Sequence, residues 1–147
     1  MSFIVVGVDG SETAHQALVT AVEQAANASA EVRAVNVVVL PAVSGYEFGP
    51  IDLQGLKDAA ANTLDAAIER LSNQYNGDLP VAVSSEVRSG HIGSELTRAA
   101  EADEGATMIV AGSRGFGGLK SVLLGSTTTY LAHHLSCPLL IVPAIED

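Results

Sequence analysis

The sequence predicts an α/β fold, a single doubly wound, open sheet of five parallel strands with helices on both faces. Five short runs rich in Val, Ile and Leu are separated by stretches whose apolar residues recur at i, i+3, i+4 and i+7. Most runs are continuously apolar rather than alternating, the mark of strands buried on both faces. Strand–helix alternation with buried strands calls for parallel pairing and helical crossovers.

The first strand is read over residues 3–8 and stops at Asp9-Gly10-Ser11. Ala14, Ala17, Leu18, Ala21, Val22 and Ala25 then mark one face of a helix. Ser11 suits its N-cap, and Glu12 its first turn. A valine-rich second strand is expected over 32–40, and a Gly- and Pro-bearing loop over 41–50. Leu56, Ala60, Leu64, Ala67, Ile68 and Leu71 mark a second helix that ends in residues 73–77. The third strand, 81–87, alternates between apolar and polar residues, which suggests a wetter face or an edge position. Ile92, Leu96, Ala99 and Ala100 mark a third helix, and residues 107–111 a fourth strand. A last helix is expected over 126–135 on Thr127, Tyr130, Leu131 and Leu135, before a fifth strand over 138–142.

The 147 residues suit one domain, able to bury roughly 68–70% of the surface its unfolded chain exposes. A formal net charge of -10, from 17 acidic and 7 basic residues, argues against nucleic acid and anionic membrane as partners. A small anion would depend on backbone amides, a helix N-terminus, a metal ion or the few cations. The opening residues carry no basic leader and no apolar run of membrane length, so the cytoplasm is the expected location. The single cysteine, Cys137, allows no intrachain disulfide and reads as a small buried residue.

The most informative stretch is GSRGFGGLKSVLLGSTT, from Gly112 to Thr128. It is not a P-loop: four residues after Gly112 comes Gly117-Gly118, not Gly-Lys. It is not a dinucleotide fingerprint either, since Gly115-Phe116-Gly117 is followed by Gly118-Leu119-Lys120. Glycines let backbone N–H groups approach an anion, and Gly125-Ser126-Thr127 opens a helix whose amides and dipole favour phosphate. Arg114 and Lys120 are the nearby cations. From the glycines alone, a phosphate cradle and an ordinary strand–helix turn are both open readings.

The spacing Gly112-x2-Gly115-x9-Gly125-Ser126 resembles the ATP-binding signature of the universal stress protein family. IVVGVDGSETA at the start, GSRG after the fourth strand and SCPLLIVP at the end are similar to that family's first strand and turn, fourth turn and last strand. The resemblance spans essentially the whole chain. It implies the strand order 3-2-1-4-5, which sets Asp9 and Gly112 on one crevice where the strand order reverses. It implies an ATP site, with Mg2+ or Mn2+, formed by Gly7, Val8, Asp9, Val37, Ala111, Gly112, Ser113, Arg114, Gly115, Gly125, Ser126 and Thr127. Asp9 would accept the ribose hydroxyls, although Asp-Gly-Ser is also common turn chemistry. Gly7, Val8, Val37 and Ala111 fall at adenine-pocket positions, and all suit plain core equally well. Gly117 and Gly118 lie in the spacer and read as hinges of a hairpin that could close over phosphates and reshape a surface for a regulatory protein partner.

Other constellations carry less. His91-Ile92-Gly93-Ser94 is like the HIGH motif of nucleotidyl-transferring synthetases but opens the third helix and lacks the final His. His133 and His134 are adjacent, so they face different ways and do not chelate one metal. His15 is expected to face solvent or sit at the crevice rim. No catalytic base is identified, so binding is favoured over turnover; a slow ATPase and a dimeric adaptor with a vestigial pocket are the alternatives. The bare apolar strand Leu139–Val142, last in the chain, suggests a homodimer.

Overall fold

Each strand settles within a few residues of its apolar run. The computed structural model describes residues 1–40, 52–113 and 124–144. The strands are β1 (Phe3–Gly7), β2 (Glu31–Val38), β3 (Val83–Ser89), β4 (Met108–Gly112) and β5 (Leu139–Val142). Between them run α1 (Glu12–Ala28), α2 (Leu53–Gln74), α3 (Ile92–Glu101) and α4 (Ser126–His134). All neighbours pair in parallel, in the order β3-β2-β1-β4-β5. The expected sheet and its order are therefore observed.

Two cores lie on the two faces of the sheet. Ile4, Val6, Val32 and Ala34 pack with α1 and α2 through Leu18, Val22, Leu64 and Leu71. Phe3, Val5, Val35 and Ile109 pack with α3 and α4 through Leu96, Ala99 and Leu131. The alternation along β1 shows why its run has no polar residue: odd and even positions face different cores.

α1 follows its predicted face in full, with Ala14, Ala17, Leu18, Ala21, Val22 and Ala25 all buried. Ser11 is its N-cap and accepts from the Ala14 amide at 3.1 Å. α2 follows its predicted face only in part. Ala60, Leu64 and Leu71 are buried, whereas Leu56 is exposed. At 22 residues α2 is about 33 Å long, longer than strands of 5–8 residues, so its first turns overrun the sheet.

Several boundaries differ from expectation. β1 stops at Gly7 and β2 at Val38, so Val39 and Leu40 leave the ladder and stand exposed despite their apolar character. β3 begins at Val83, two residues later than expected, and runs on to Ser89; it is an edge strand, as its alternation suggested. α4 buries Thr128 and Leu131 rather than Thr127. The loop expected over 41–50 lies outside the described residues.

Candidate functional site

β1 is the pivot of the sheet, with β2 on one side and β4 on the other. The crossover from β1 goes one way and the chain returns to β4 on the opposite side, which opens a crevice at the carboxyl ends of β1 and β4. Val6 pairs with Val110, so the register carries Gly7 level with Ala111. Gly7, Ala111 and Gly112 floor a cavity whose walls are Ala14 of α1, Leu96 of α3 and residues Gly125, Ser126, Thr127 and Thr128 of α4. The enclosed space is about 20 Å³, room for a water or one anionic oxygen.

The start of α4 gives this cavity its chemistry. Gly125 is the N-cap, in extended conformation, and supplies no side-chain cap. The first intrahelical bond is from the Thr129 amide to the Gly125 carbonyl, 3.0 Å. The amides of Ser126, Thr127 and Thr128 therefore have no intrahelical acceptor, and they stand where the helix dipole is positive. Two of the nearby hydroxyls are already committed: Thr128 Oγ1 donates to the Gly112 carbonyl at 2.9 Å and Thr129 Oγ1 to the Gly125 carbonyl at 3.0 Å. Those of Ser126 and Thr127 make no hydrogen bond among the described residues. With glycine at the N-cap, no side chain among the described residues caps this helix end.

Ser113 fixes the mouth of the glycine-rich segment. Its amide donates to the Val142 carbonyl at 2.8 Å, and its carbonyl accepts from the Gly125 amide at 2.7 Å. Its buried hydroxyl oxygen accepts from the Ala144 amide at 3.0 Å. Through Ser113, the end of β4, the cap of α4 and the residues after β5 form one rigid junction. Gly112 has a packing role of its own. A Cβ there would stand 2.5 Å from Thr13 Cγ2, so any side chain would require the Thr13 methyl to shift.

Asp9 lies one step past Val8, partly buried, at the rim of the crevice rather than in the cavity lining. Oδ1 accepts from the Ser11 amide at 2.9 Å and from Ser11 Oγ at 2.6 Å. Ser11 Oγ in turn accepts from the Ala14 amide. Asp9 is thus a turn residue that orders the start of α1, and both of these bonds fall on one oxygen. Gly10, at φ +89, makes the turn possible.

Of the residues expected at the site, the cavity unites Gly7, Ala111, Gly112, Gly125, Ser126 and Thr127. Val8 instead lines a groove on the α1–α2 side, and Val37 is packed in the α3–α4 core. Arg114 and Gly115 lie outside the described residues, as do Lys120 and the hairpin between them. Ala14, Leu96 and Thr128 line the cavity without having been anticipated. Thr128 belongs to the same GSTT run and could have been found there; Ala14 and Leu96 sit at ordinary core-face spacings and carry no separate signal.

Among the described residues that line the cavity none is charged, so their contribution comes from amide and helix dipoles. Among the described cations, Arg33 pairs with Glu31 and Asp103, Arg70 with Glu12, Arg88 with Glu86 and Glu95, and Arg98 with Glu95. No cluster of three His, Cys, Asp or Glu able to hold a metal occurs among the described residues. His91 is the N-cap of α3, where Nδ1 accepts from the Ser94 amide at 3.1 Å, which accounts for the HIGH-like run. His133 and His134 are both exposed in the last turn of α4. Cys137 is half-buried rather than fully so, and burial pushes its thiol above the usual range.

His15 overturns its expectation. It is buried, not solvent-facing, because α2 lies across that side of α1 and Gln74 Oε1 meets His15 Nε2 at 3.0 Å. Burial, and then the Arg70 guanidinium, lower its pKa from the ordinary 6.5; Gln74 and Glu12 oppose the shift. The unfolded chain therefore binds this proton more readily, and stability falls as pH drops below about 6.5. Melting temperatures measured from pH 7.5 to pH 5.5 should decline, and His15→Phe should flatten that decline. Equal slopes in the two proteins would dismiss His15 as the cause. Glu12, whose carboxyl is lowered by its bond to Arg70, adds its own loss in the more acidic carboxylate range.

Comparison with known proteins agrees with this architecture. The profile of the universal stress protein family matches residues 1–143. A universal stress protein of Mycolicibacterium smegmatis is 30% identical over 95% of this chain, which spans 47% of that relative's length. Universal stress protein UspA from Lactobacillus plantarum superposes with a TM-score of 0.81 at 26% identity, covering 96% of this chain and 97% of its own. Two solved structures below that identity share the fold. One is a universal stress protein in complex with cAMP, with a TM-score of 0.62, 21% identity and 98% of both chains covered. The other is the Archaeoglobus fulgidus universal stress protein in complex with dAMP, with a TM-score of 0.70, 20% identity, and 97% and 98% of the two chains covered. The sheet order observed here, the likeness to these structures and a profile match over nearly every residue together place the chain in the universal stress protein family.

Proposed function

We propose that this chain binds an adenine nucleotide, ATP foremost, at the carboxyl ends of β1 and β4, and acts as a cytoplasmic stress-response regulator. The observation that carries the reading is the uncapped start of α4. Three amides without intrahelical acceptors face a cavity floored by glycine and alanine, which suits phosphate oxygens. The enclosed space suits the anionic end, and the ribose would lie towards Asp9. Relatives of the same fold solved with dAMP and cAMP support an adenine ligand. A divalent cation such as Mg2+ or Mn2+ would be held mainly by the phosphates and water, since no cluster of three His, Cys, Asp or Glu occurs among the described residues. No side chain of the described crevice is placed as a general base, which favours binding over turnover.

Isothermal titration should show Mg-ATP binding, and ATP at millimolar concentration should raise the melting temperature. Absence of both heat and thermal shift would refute the reading. Hydrolysis in single turnover that is lost on Asp9→Ala would replace it with an ATPase. We further propose a homodimer through β5, an edge strand whose four residues are all half-buried and apolar. Light scattering at micromolar concentration should give twice the chain mass; a pure monomer contradicts the dimer.

A further inference from the structure

Three helical threonines, Thr63, Thr97 and Thr129, each donate their hydroxyl to the carbonyl four residues back in the same chain. Thr128 departs from that habit. Its Oγ1 donates across to the Gly112 carbonyl at the end of β4, 16 residues back and 2.9 Å away. Thr128 is 2% exposed, so water hardly competes for this bond.

The bond completes a bracket around the start of α4. The Gly125 amide donates to the Ser113 carbonyl at 2.7 Å. Two consecutive carbonyls at the end of β4, those of Gly112 and Ser113, therefore hold α4 at Thr128 and at Gly125. Ser126 and Thr127 lie between these points, and their amides have no acceptor within the helix. A β-branched side chain is stiff at χ1, so a hydroxyl fixed on β4 also fixes the backbone that carries it. Leu131, on the same face one turn later, is anchored in the core, and the pair opposes rotation of the helix as well as sliding. Charge gives the bond a second effect. Gly112 and Thr128 both line the cavity. A carbonyl oxygen carries partial negative charge and repels an anion beside it, and a hydroxyl proton placed on that oxygen offsets the repulsion.

We propose that Thr128 is a positioning residue for the phosphate end of the nucleotide. Through the Gly112 carbonyl it sets the direction of the Ser126 and Thr127 amides and offsets the charge that would oppose the anion. The role rests on the nucleotide reading above, and it concerns the phosphate alone, not the ribose or base.

Thr128→Val exchanges the hydroxyl for a methyl and keeps the branched shape, whereas Thr128→Ser keeps the hydroxyl. Calorimetric titration of the full chain with Mg-ATP should show affinity lower by about tenfold in Thr128→Val and within about twofold of the parent chain in Thr128→Ser. Adenosine, which carries no phosphate, should bind the parent chain and Thr128→Val alike in chemical-shift titrations. Without ligand, the Ser126 and Thr127 amide resonances should move in Thr128→Val and hold their places in Thr128→Ser. If Thr128→Val does not fold, Thr128→Ala serves in its place. Three results overturn the role: unchanged ATP affinity on loss of the hydroxyl; no rescue by Thr128→Ser; or a loss for adenosine as large as that for ATP, which marks general damage to the crevice. A parent chain that binds no ATP refutes the nucleotide reading itself, and this role with it.

Discussion

Leu131→Ala should lower stability by about 2–5 kcal/mol and weaken nucleotide binding with it. Leu131 is fully buried among Phe3, Val5, Leu96 and Ile109, and it is the only large apolar side chain that α4 buries. At 9 residues α4 is too short to hold its helix alone, so its order comes from this contact and from Thr128 bonded to the Gly112 carbonyl. For a chain of this size the loss corresponds to a fall of roughly 5–20 °C in melting temperature. The amides of Ser126, Thr127 and Thr128 are one turn away and lose their alignment as the helix frays. Leu71→Ala, equally buried but in the α1–α2 core, should cost similar stability and leave affinity near normal below its transition. Leu131→Met, close in volume, should cost less than about 1.5 kcal/mol and keep binding. Loss of affinity as great in Leu71→Ala as in Leu131→Ala would show that α4 has no special part in the site.

The sheet was legible because burial on both faces leaves only apolar residues and glycine in β1 and β4. The face of α1 was legible for the same reason: six apolar positions on one stripe, all buried. α2 and His15 were not, and the causes are linked. Periodicity assigns a helix one apolar face, but it cannot say where a second helix will cross. The 22-residue α2 overruns the sheet, exposing Leu56 at one end, and its Gln74 covers His15 at the other. A polar residue one place beyond an apolar stripe reads as solvated until the neighbour that covers it is known.

The candidate site was legible only in pieces. Spacing singled out Gly112, Gly125 and Ser126, and all three line one cavity. It could not separate the two roles of glycine. Gly112 meets the Thr13 methyl, while Gly125 is a cap without a side chain, so the first three amides of α4 have no acceptor within the helix. Ser113 was expected among the binding residues; its three hydrogen bonds also join β4, α4 and the residues after β5. Such a role rests on partners as remote as Ala144, 31 residues on, which no local motif encodes.

Asp9→Ala should reduce affinity for ATP roughly ten- to hundred-fold, and Asp9→Asn nearly as much, while only the first costs appreciable stability. The separation follows from the two tasks of one carboxylate. Oδ1 accepts from the Ser11 amide and from Ser11 Oγ, and Ser11 Oγ caps α1 at Ala14. Alanine removes that acceptor and loosens the cap, an effect of about 1 kcal/mol. Asparagine keeps an oxygen for Ser11 and so keeps the turn. Neither variant retains a charged acceptor for ribose hydroxyls, and a hydrogen bond to a charged group contributes about 1.5–3 kcal/mol, or one to two decades in affinity. Titration of the three proteins with Mg-ATP, paired with thermal melts without ligand, resolves the two effects. Should Asp9→Asn bind ATP as the parent chain does, Asp9 is a turn residue only, and recognition rests on the amides of α4.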